Sequence, residues 1–346
     1  MKNIIFILVI LVFSFQVNNA FAQGCVDEDP SSKDSLNANK PKLFGFIQPQ
    51  YDYSFNDAND NSFRFKRARL GVRGKLKGKF SYYFMLETSP FIGSSGDAYL
   101  MDAFITYEHS SWVKISVGSF KQPFGLEVST ACHSLPTIDR SIVSDQLVAP
   151  QRDYGLMLLG GNKYTKFNYA VALMNGRGLI VKDNNTKKDI IGRATYKVTD
   201  FMTIGGSFRY GYPTNNDDTR TTYGGEIALT FSNLNIQGEY IYDEGDYNRA
   251  SGGGCGSTPV ELGEKRDGAY AMISYDINEK IQPVFKYEFF DPNLDIKKIG
   301  YQEMMTFGIN YFFDKKIRLQ INYQAHIETH INIDNDIILA QMQIKF

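Results

Sequence analysis

The chain has 346 residues, enough for two ordinary domains or one large barrel, and a formal net charge of −1 at pH 7. That balance gives no global sign of nucleic-acid binding. There are 22 tyrosines and 26 phenylalanines but one tryptophan, and mean hydropathy is −0.30 although apolar and polar residues alternate over long stretches. A membrane barrel has this composition because only every second residue faces lipid; a soluble all-β sandwich is the competing class.

At the N-terminus Lys2 precedes an apolar run, Ile4 to Phe15, and then Ala20-Phe21-Ala22. This is the form of a secretory signal peptide over residues 1–22, cleaved before Gln23. A lipoprotein anchor at Cys25 needs a better lipobox than Ala22 and Gln23 provide. Residues 23–41 are charged and aperiodic, which predicts a flexible periplasmic lead-in. No later stretch reaches the roughly 20 apolar residues of a membrane helix, so the chain is either soluble or spans as a closed barrel.

Residues 42–346 fall into alternating segments of strand length whose connections take turns in length. Long polar connections lie near 54–61, 90–97, 120–150, 175–187, 212–219, 244–265, 292–299 and 328–335. Tight ones centre on Lys77-Gly78, Ser110-Ser111, Asn162-Lys163, Thr199-Asp200, Ser232-Asn233, Asn278-Glu279 and Asp314-Lys315. Eight long and seven short connections separate 16 strands and put both ends on the periplasmic side. The prediction is a 16-stranded antiparallel transmembrane β-barrel, wide enough for an aqueous channel.

The apolar set of each strand must face lipid, which assigns the other set to the lumen. In the second strand Ala68, Leu70 and Val72 face out, so Arg67, Arg69 and Arg73 face in. The same argument points Lys114 inward in the fifth strand, Lys166 in the seventh, Arg193 and Lys197 in the eighth and Arg209 in the ninth. The longest loop, 120–150, carries Lys121 and Arg140, with Arg152 at its edge. Acids Asp57, Asp60, Asp217, Asp218, Asp243, Glu244 and Asp246 fall in predicted loops. The first nine strands thus promise a largely basic lumen, which favours anions, and a guanidinium fork suits phosphate. Charged residues also belong on a lumen face without any selectivity, because each costs about 2–4 kcal/mol on the lipid face at midplane. The second half is mixed: Glu226, Glu239, Lys286, Glu288 and Arg318 all fall on the wet face.

In the fifteenth strand Leu319, Ile321, Tyr323, Ala325 and Ile327 face lipid, while Gln320, Asn322, Gln324, His326 and Glu328 face in, with His330 beyond. That His-Glu-His row has metal-ligand spacing, but a solvated rim has the same pattern. The last strand alternates from Ile338 to the terminal Phe346, which resembles the signal read by the outer-membrane assembly machinery. His133-Ser134 is the one nucleophile-base adjacency, and no third partner accompanies it, so no enzyme is expected. No cofactor motif such as a P-loop is present, so transport is expected to be passive. Cys132 and Cys255 both fall in long loops, where a disulfide between them and two separate thiols are the alternatives.

Several motifs cluster in the first third of the mature chain: RFKRARLGVRGKLKGKF at 64–80, DAFITYEH at 102–109 and VGSFKQPFGLE at 117–127. Thr137-Ile138-Asp139-Arg140 and Arg152-Asp153-Tyr154-Gly155 follow. Together they resemble the phosphate-selective porin O and P family. The resemblance implies a homotrimer in the outer membrane, among its lipid and lipopolysaccharide, with basic side chains along a pore for phosphate or polyphosphate. In it Arg67, Arg69 and Arg73 match the basic strand; Lys121, Pro123, Phe124 and Gly125 match the start of an inward-folded constriction loop; Arg140 and Arg152 match later arginines. The second-half acids depart from a uniformly basic pore. A general non-selective diffusion porin and a barrel acting as surface adhesin or receptor are the alternatives.

Overall fold

The computed structural model describes residues 40–346 apart from 57–59, 77, 92–96, 248–261, 297–299 and 328–334. The expected signal peptide, the lead-in up to residue 39, Cys25, Cys255, Asp57, Glu328 and His330 lie outside these residues. Sixteen antiparallel strands follow one another around a closed barrel. They are β1 (Lys42–Ser54), β2 (Asn61–Lys75), β3 (Phe80–Glu87), β4 (Tyr99–Ser110), β5 (Val113–Lys121), β6 (Arg152–Gly160), β7 (Phe167–Met174) and β8 (Asp189–Lys197) in the first half. The second half has β9 (Met202–Gly211), β10 (Arg220–Phe231), β11 (Leu234–Gly245), β12 (Lys265–Tyr275), β13 (Ile281–Asp291), β14 (Gln302–Phe312), β15 (Ile317–Ile327) and β16 (Ile337–Lys345). Two short helices, α1 (Leu126–Ser129) and α2 (Ile142–Leu147), lie in the long connection between β5 and β6.

Closure removes every sheet edge, as a backbone in lipid requires. β1 pairs with β16 from Phe46↔Lys345 to Ser54↔Ile337. Gly45 and Phe346 extend the seam by exchanging N–H···O bonds of 3.1 and 3.0 Å. Only glycine fits at that point: a Cβ on residue 45 would sit 2.6 Å from the Phe346 ring and against the Arg69 carbonyl.

Side-chain parity follows the lipid. Ile105, Val117, Val171, Leu173, Ile204 and Ile321 are exposed on the outer face. Near the short turns aromatic pairs ring the wall, among them Phe80–Tyr107, Phe201–Phe231 and Tyr311–Phe313, the girdle expected at a membrane boundary.

One irregularity changes a face. In the β1–β2 ladder Gln48 opposes Arg67 but Pro49 opposes Phe65, so Lys66 is an extra residue in a bulge. Pro49 has no N–H to donate to the ladder, which is why pairing slips there. The bulge turns the Lys66 side chain inward, where it is 5% exposed.

The inner face is not uniformly wet. Phe44, Phe46, Met85, Met101, Phe104 and Met157 point inward and are buried together with Phe124, Val128 and Val143 of the β5–β6 loop. The loop runs inside the barrel and brings its own apolar side chains, so inward apolar residues on β1 and β3–β6 find a core there rather than water. The rule that apolar side chains face lipid therefore fails on those strands.

Candidate pore and its constriction

The loop from Gln122 to Gln151 crosses the lumen and is tied to the far wall. Gly125, in the left-handed region at φ 69°, turns the chain inward and donates its N–H to Ser207 Oγ on β9 at 2.9 Å. The N–H groups of Leu126 and Glu127 donate to the Glu239 carboxylate on β11, each at 3.2 Å. Ser141 caps α2, accepting from Ser144 N, and donates through N–H and hydroxyl to the Glu127 carboxylate at 2.7 and 2.6 Å. Ile142 N–H donates to Glu288 on β13 at 2.7 Å, and Ile138 N–H to Asn322 Oδ1 on β15 at 2.8 Å. The Thr137-Ile138-Asp139-Arg140 motif is thus a strap, with successive residues held by different walls. Lys66 from the β2 bulge pairs with Asp139 at 2.5 Å. Burial pushes the Asp139 carboxyl up, but the Lys66 ammonium, with Arg67 and Lys286 behind it, outweighs that and holds it below the usual carboxylate range.

Most of the expected basic residues meet their partners on the spot. Arg69 donates to Glu87 at 2.7 Å and to Cys132 Sγ at 3.0 Å. Arg152 grips Asp102 through two bonds of 3.0 and 3.3 Å, and Arg193 grips Glu226 at 2.9 and 2.5 Å. Arg209 binds Asp189 at 3.1 and 2.8 Å and the Ala149 carbonyl at 3.0 Å. Lys114 pairs with Glu108 at 3.1 Å and Lys197 with Asp200 at 2.9 Å. Lys121 donates to the Val128 and Thr130 carbonyls at 2.8 and 3.0 Å. Arg140 donates to the Glu127 and Thr130 carbonyls at 3.0 and 3.1 Å, so both bases brace the loop. Arg67 donates to Gln48 Oε1 at 2.8 Å. Arg73 stands 5.7 Å over the Phe44 ring. Lys166 is exposed in the turn before β7 rather than on the strand itself.

The first half of the wall is therefore not simply basic: Glu87, Asp102 and Asp189 are buried in it beside the arginines. Parity marks Asp102, since Ile105 and Tyr107 face out on the same strand. A second correction concerns Asp243, expected in a loop. It lies on β11, fully buried, and accepts from Arg220 at 2.8 Å, Arg266 at 2.5 Å and Thr222 at 2.5 Å. Arg220 and Arg266 carry no signal of their own in the sequence beyond strand parity.

At the end of the barrel that carries the short turns a cavity of about 200 Å³ opens between the β14–β15 turn, the end of β16 and loop residues 133–136. Lys315, Lys316, Arg318 and Lys345 line it against a single acid, Asp314. His133 forms part of its inner wall, buried and stacked on Phe46 at 5.3 Å. Burial, aided by the charges of Lys345, Arg318 and Arg69, pushes its imidazole down to about 3. A histidine held neutral when folded but titrating near 6.5 when unfolded contributes stability that is full above about pH 6.5 and lost as pH falls toward 3. Urea unfolding of the wild-type barrel is expected to weaken between pH 7 and 5, by at most about 1.4 kcal/mol per pH unit for this proton. His133→Gln should flatten that dependence; an equal slope in both proteins refutes the assignment.

Residues 45–200 match the family model for phosphate-selective porin O and P. Among curated proteins none matches significantly. Solved structures with this fold include an anion-selective porin from Comamonas acidovorans, with TM-score 0.65 and 13% identity over 88% of this chain and 99% of that one. OmpF of Salmonella typhi, in complex with daunomycin, aligns with TM-score 0.69 and 12% identity over 90% and 99% of the two chains. The outer-membrane channel DcaP of Acinetobacter baumannii aligns with TM-score 0.63 and 12% identity over 88% and 97%. At those identities the structures establish the fold, a closed antiparallel barrel, and the fold alone. The family match over residues 45–200 and the closed 16-stranded barrel shared with these structures agree: the chain is similar over that span to the phosphate-selective porin O and P family and has the fold of outer-membrane porins.

Proposed function

We propose that this porin passes small anions, phosphate among them, across the outer membrane by passive diffusion, as a homotrimer. The observation that carries the reading is the cavity at the short-turn end, where four bases face one acid. Elsewhere carboxylates pair with six of the inward arginines, Arg69, Arg152, Arg193, Arg209, Arg220 and Arg266, so the densest excess of positive charge that biases ion flux lies at this mouth. The family match and the anion selectivity stated for the Comamonas protein support the same reading. The seam around Phe346, buttressed by Gly45, is consistent with recognition of the last strand during assembly.

Reversal potential in a planar bilayer under a KCl gradient tests it, followed by block of chloride current with inorganic phosphate. The expected result is anion selectivity with block, and a smaller anion preference in a Lys315→Gln, Lys316→Gln, Lys345→Gln variant. Cation selectivity, or indifference to phosphate, rejects the proposal in favour of a general diffusion porin.

A further inference from the structure

The wall formed by β14, β15 and β16 presents a row of hydrogen-bond donors to the loop. Asn310 Nδ2 donates to the Pro136 carbonyl at 2.9 Å. Gln320 Nε2 donates to the same oxygen at 3.1 Å and to that of Leu135 at 3.4 Å. Arg318 Nη1 donates to Leu135 O at 3.0 Å, and Gln343 Nε2 to His133 O at 3.1 Å. Three carboxamides and a guanidinium thus converge on three carbonyl oxygens of residues 133–136.

Two features set this row apart from ordinary packing. A structural carboxamide uses both its ends when buried. Here Asn310 Oδ1 and Gln320 Oε1 are buried without a partner, although both residues are fully buried. Arg318 is 5% exposed, its Nε has no hydrogen-bond partner, and among the described residues no carboxylate pairs with it. A buried guanidinium without a counter-charge is costly, and an anion is what relieves it. Five other buried wall arginines, Arg69, Arg152, Arg209, Arg220 and Arg266, each pair with a carboxylate.

We infer that Asn310, Arg318, Gln320 and Gln343 form an oxyanion-binding site that the loop carbonyls of His133, Leu135 and Pro136 occupy in place of solute oxygens. The inference rests on the anion reading above and deepens it by naming the groups that hold the anion. The basic cavity leads directly to the row, since Arg318, Gln343, His133 and Pro136 line it. A phosphate or carboxylate arriving there offers several acceptor oxygens on one centre. Its charge-assisted bonds are about twice as strong as those of a neutral carbonyl, so exchange of the loop for the solute is favoured once the segment shifts. The half-used carboxamides lose little in the exchange, because the loop satisfies only their donor ends.

The test uses the full-length porin in a planar bilayer with inorganic phosphate as the probe against chloride current. Gln320→Leu removes one donor at similar volume, and Gln320→Glu replaces the donor by a negative acceptor. Folding of each variant is checked by heat-modifiable migration in gels. The expected result is a loss of phosphate block of roughly tenfold in Gln320→Leu, the worth of one hydrogen bond to a charged group, and a larger loss in Gln320→Glu. If the wild-type barrel is anion-selective and blocked by phosphate, and both folded variants are blocked equally well, the site is overturned while the anion reading stands. A wild-type barrel indifferent to phosphate overturns both.

Discussion

Asp243→Ala is expected to destabilise the barrel by about 3–5 kcal/mol, the cost of stranding buried charge. Asp243 is the common carboxylate of Arg220 and Arg266, and all three side chains are 0–1% exposed. Without it two guanidiniums face each other in a space that water does not reach. The ring of Tyr247 lies 4.6 and 5.0 Å from them and compensates only in part. The loss extends to the constriction loop, because Arg220 also donates to the Leu147 and Ala149 carbonyls at 2.6 and 2.8 Å and Tyr247 to that of Gln146 at 2.5 Å. Urea titration of the folded barrel in lipid, followed by gel migration, measures the change. A loss below about 1 kcal/mol shows that water or a rearranged loop carbonyl replaces the carboxylate.

The second large effect concerns conductance. Replacing residues 131–140 by a short glycine-serine linker should raise single-channel conductance severalfold. These residues hold the strap across the lumen through Asn310, Arg318, Gln320, Asn322 and Lys66. Their removal also exposes the apolar patch of Phe46 and Phe104 to water, so the unfolding midpoint should fall as conductance rises. An unchanged conductance locates the main barrier to ion flow elsewhere than at the strap.

Much of this architecture was legible in the residues. Lipid forces a period of two and closed pairing, so the 16 strands, the alternating long and short connections and the lipid-facing sets of β5, β8, β9 and β15 follow from hydropathy and turn residues alone. The position of the constriction loop was legible too, from its length and the motif around Lys121.

The charge state of the lumen was not. Counting inward bases put Arg69, Arg152, Arg193 and Arg209 on a basic wall. Whether such a group offers charge to a solute depends on the carboxylate opposite it, and strand register decides that: Arg69 falls opposite Glu87. Two small errors show the same limit. Strand ends vary by a residue or two, which moved Asp243 from a predicted loop to the wall. A bulge at Pro49 reversed parity for one residue and brought Lys66 to Asp139.

By itself the sequence determined the lipid-facing sets of β5, β8, β9 and β15, because that solvent acts on each strand separately and its penalty for polar groups does not depend on distant partners. Only the tertiary structure decided which charges lack a counter-charge among the described residues, Arg318 being one. Electrostatic pairing acts over a few ångströms between residues far apart in the chain, and a loop folded into the barrel replaces water as their surroundings.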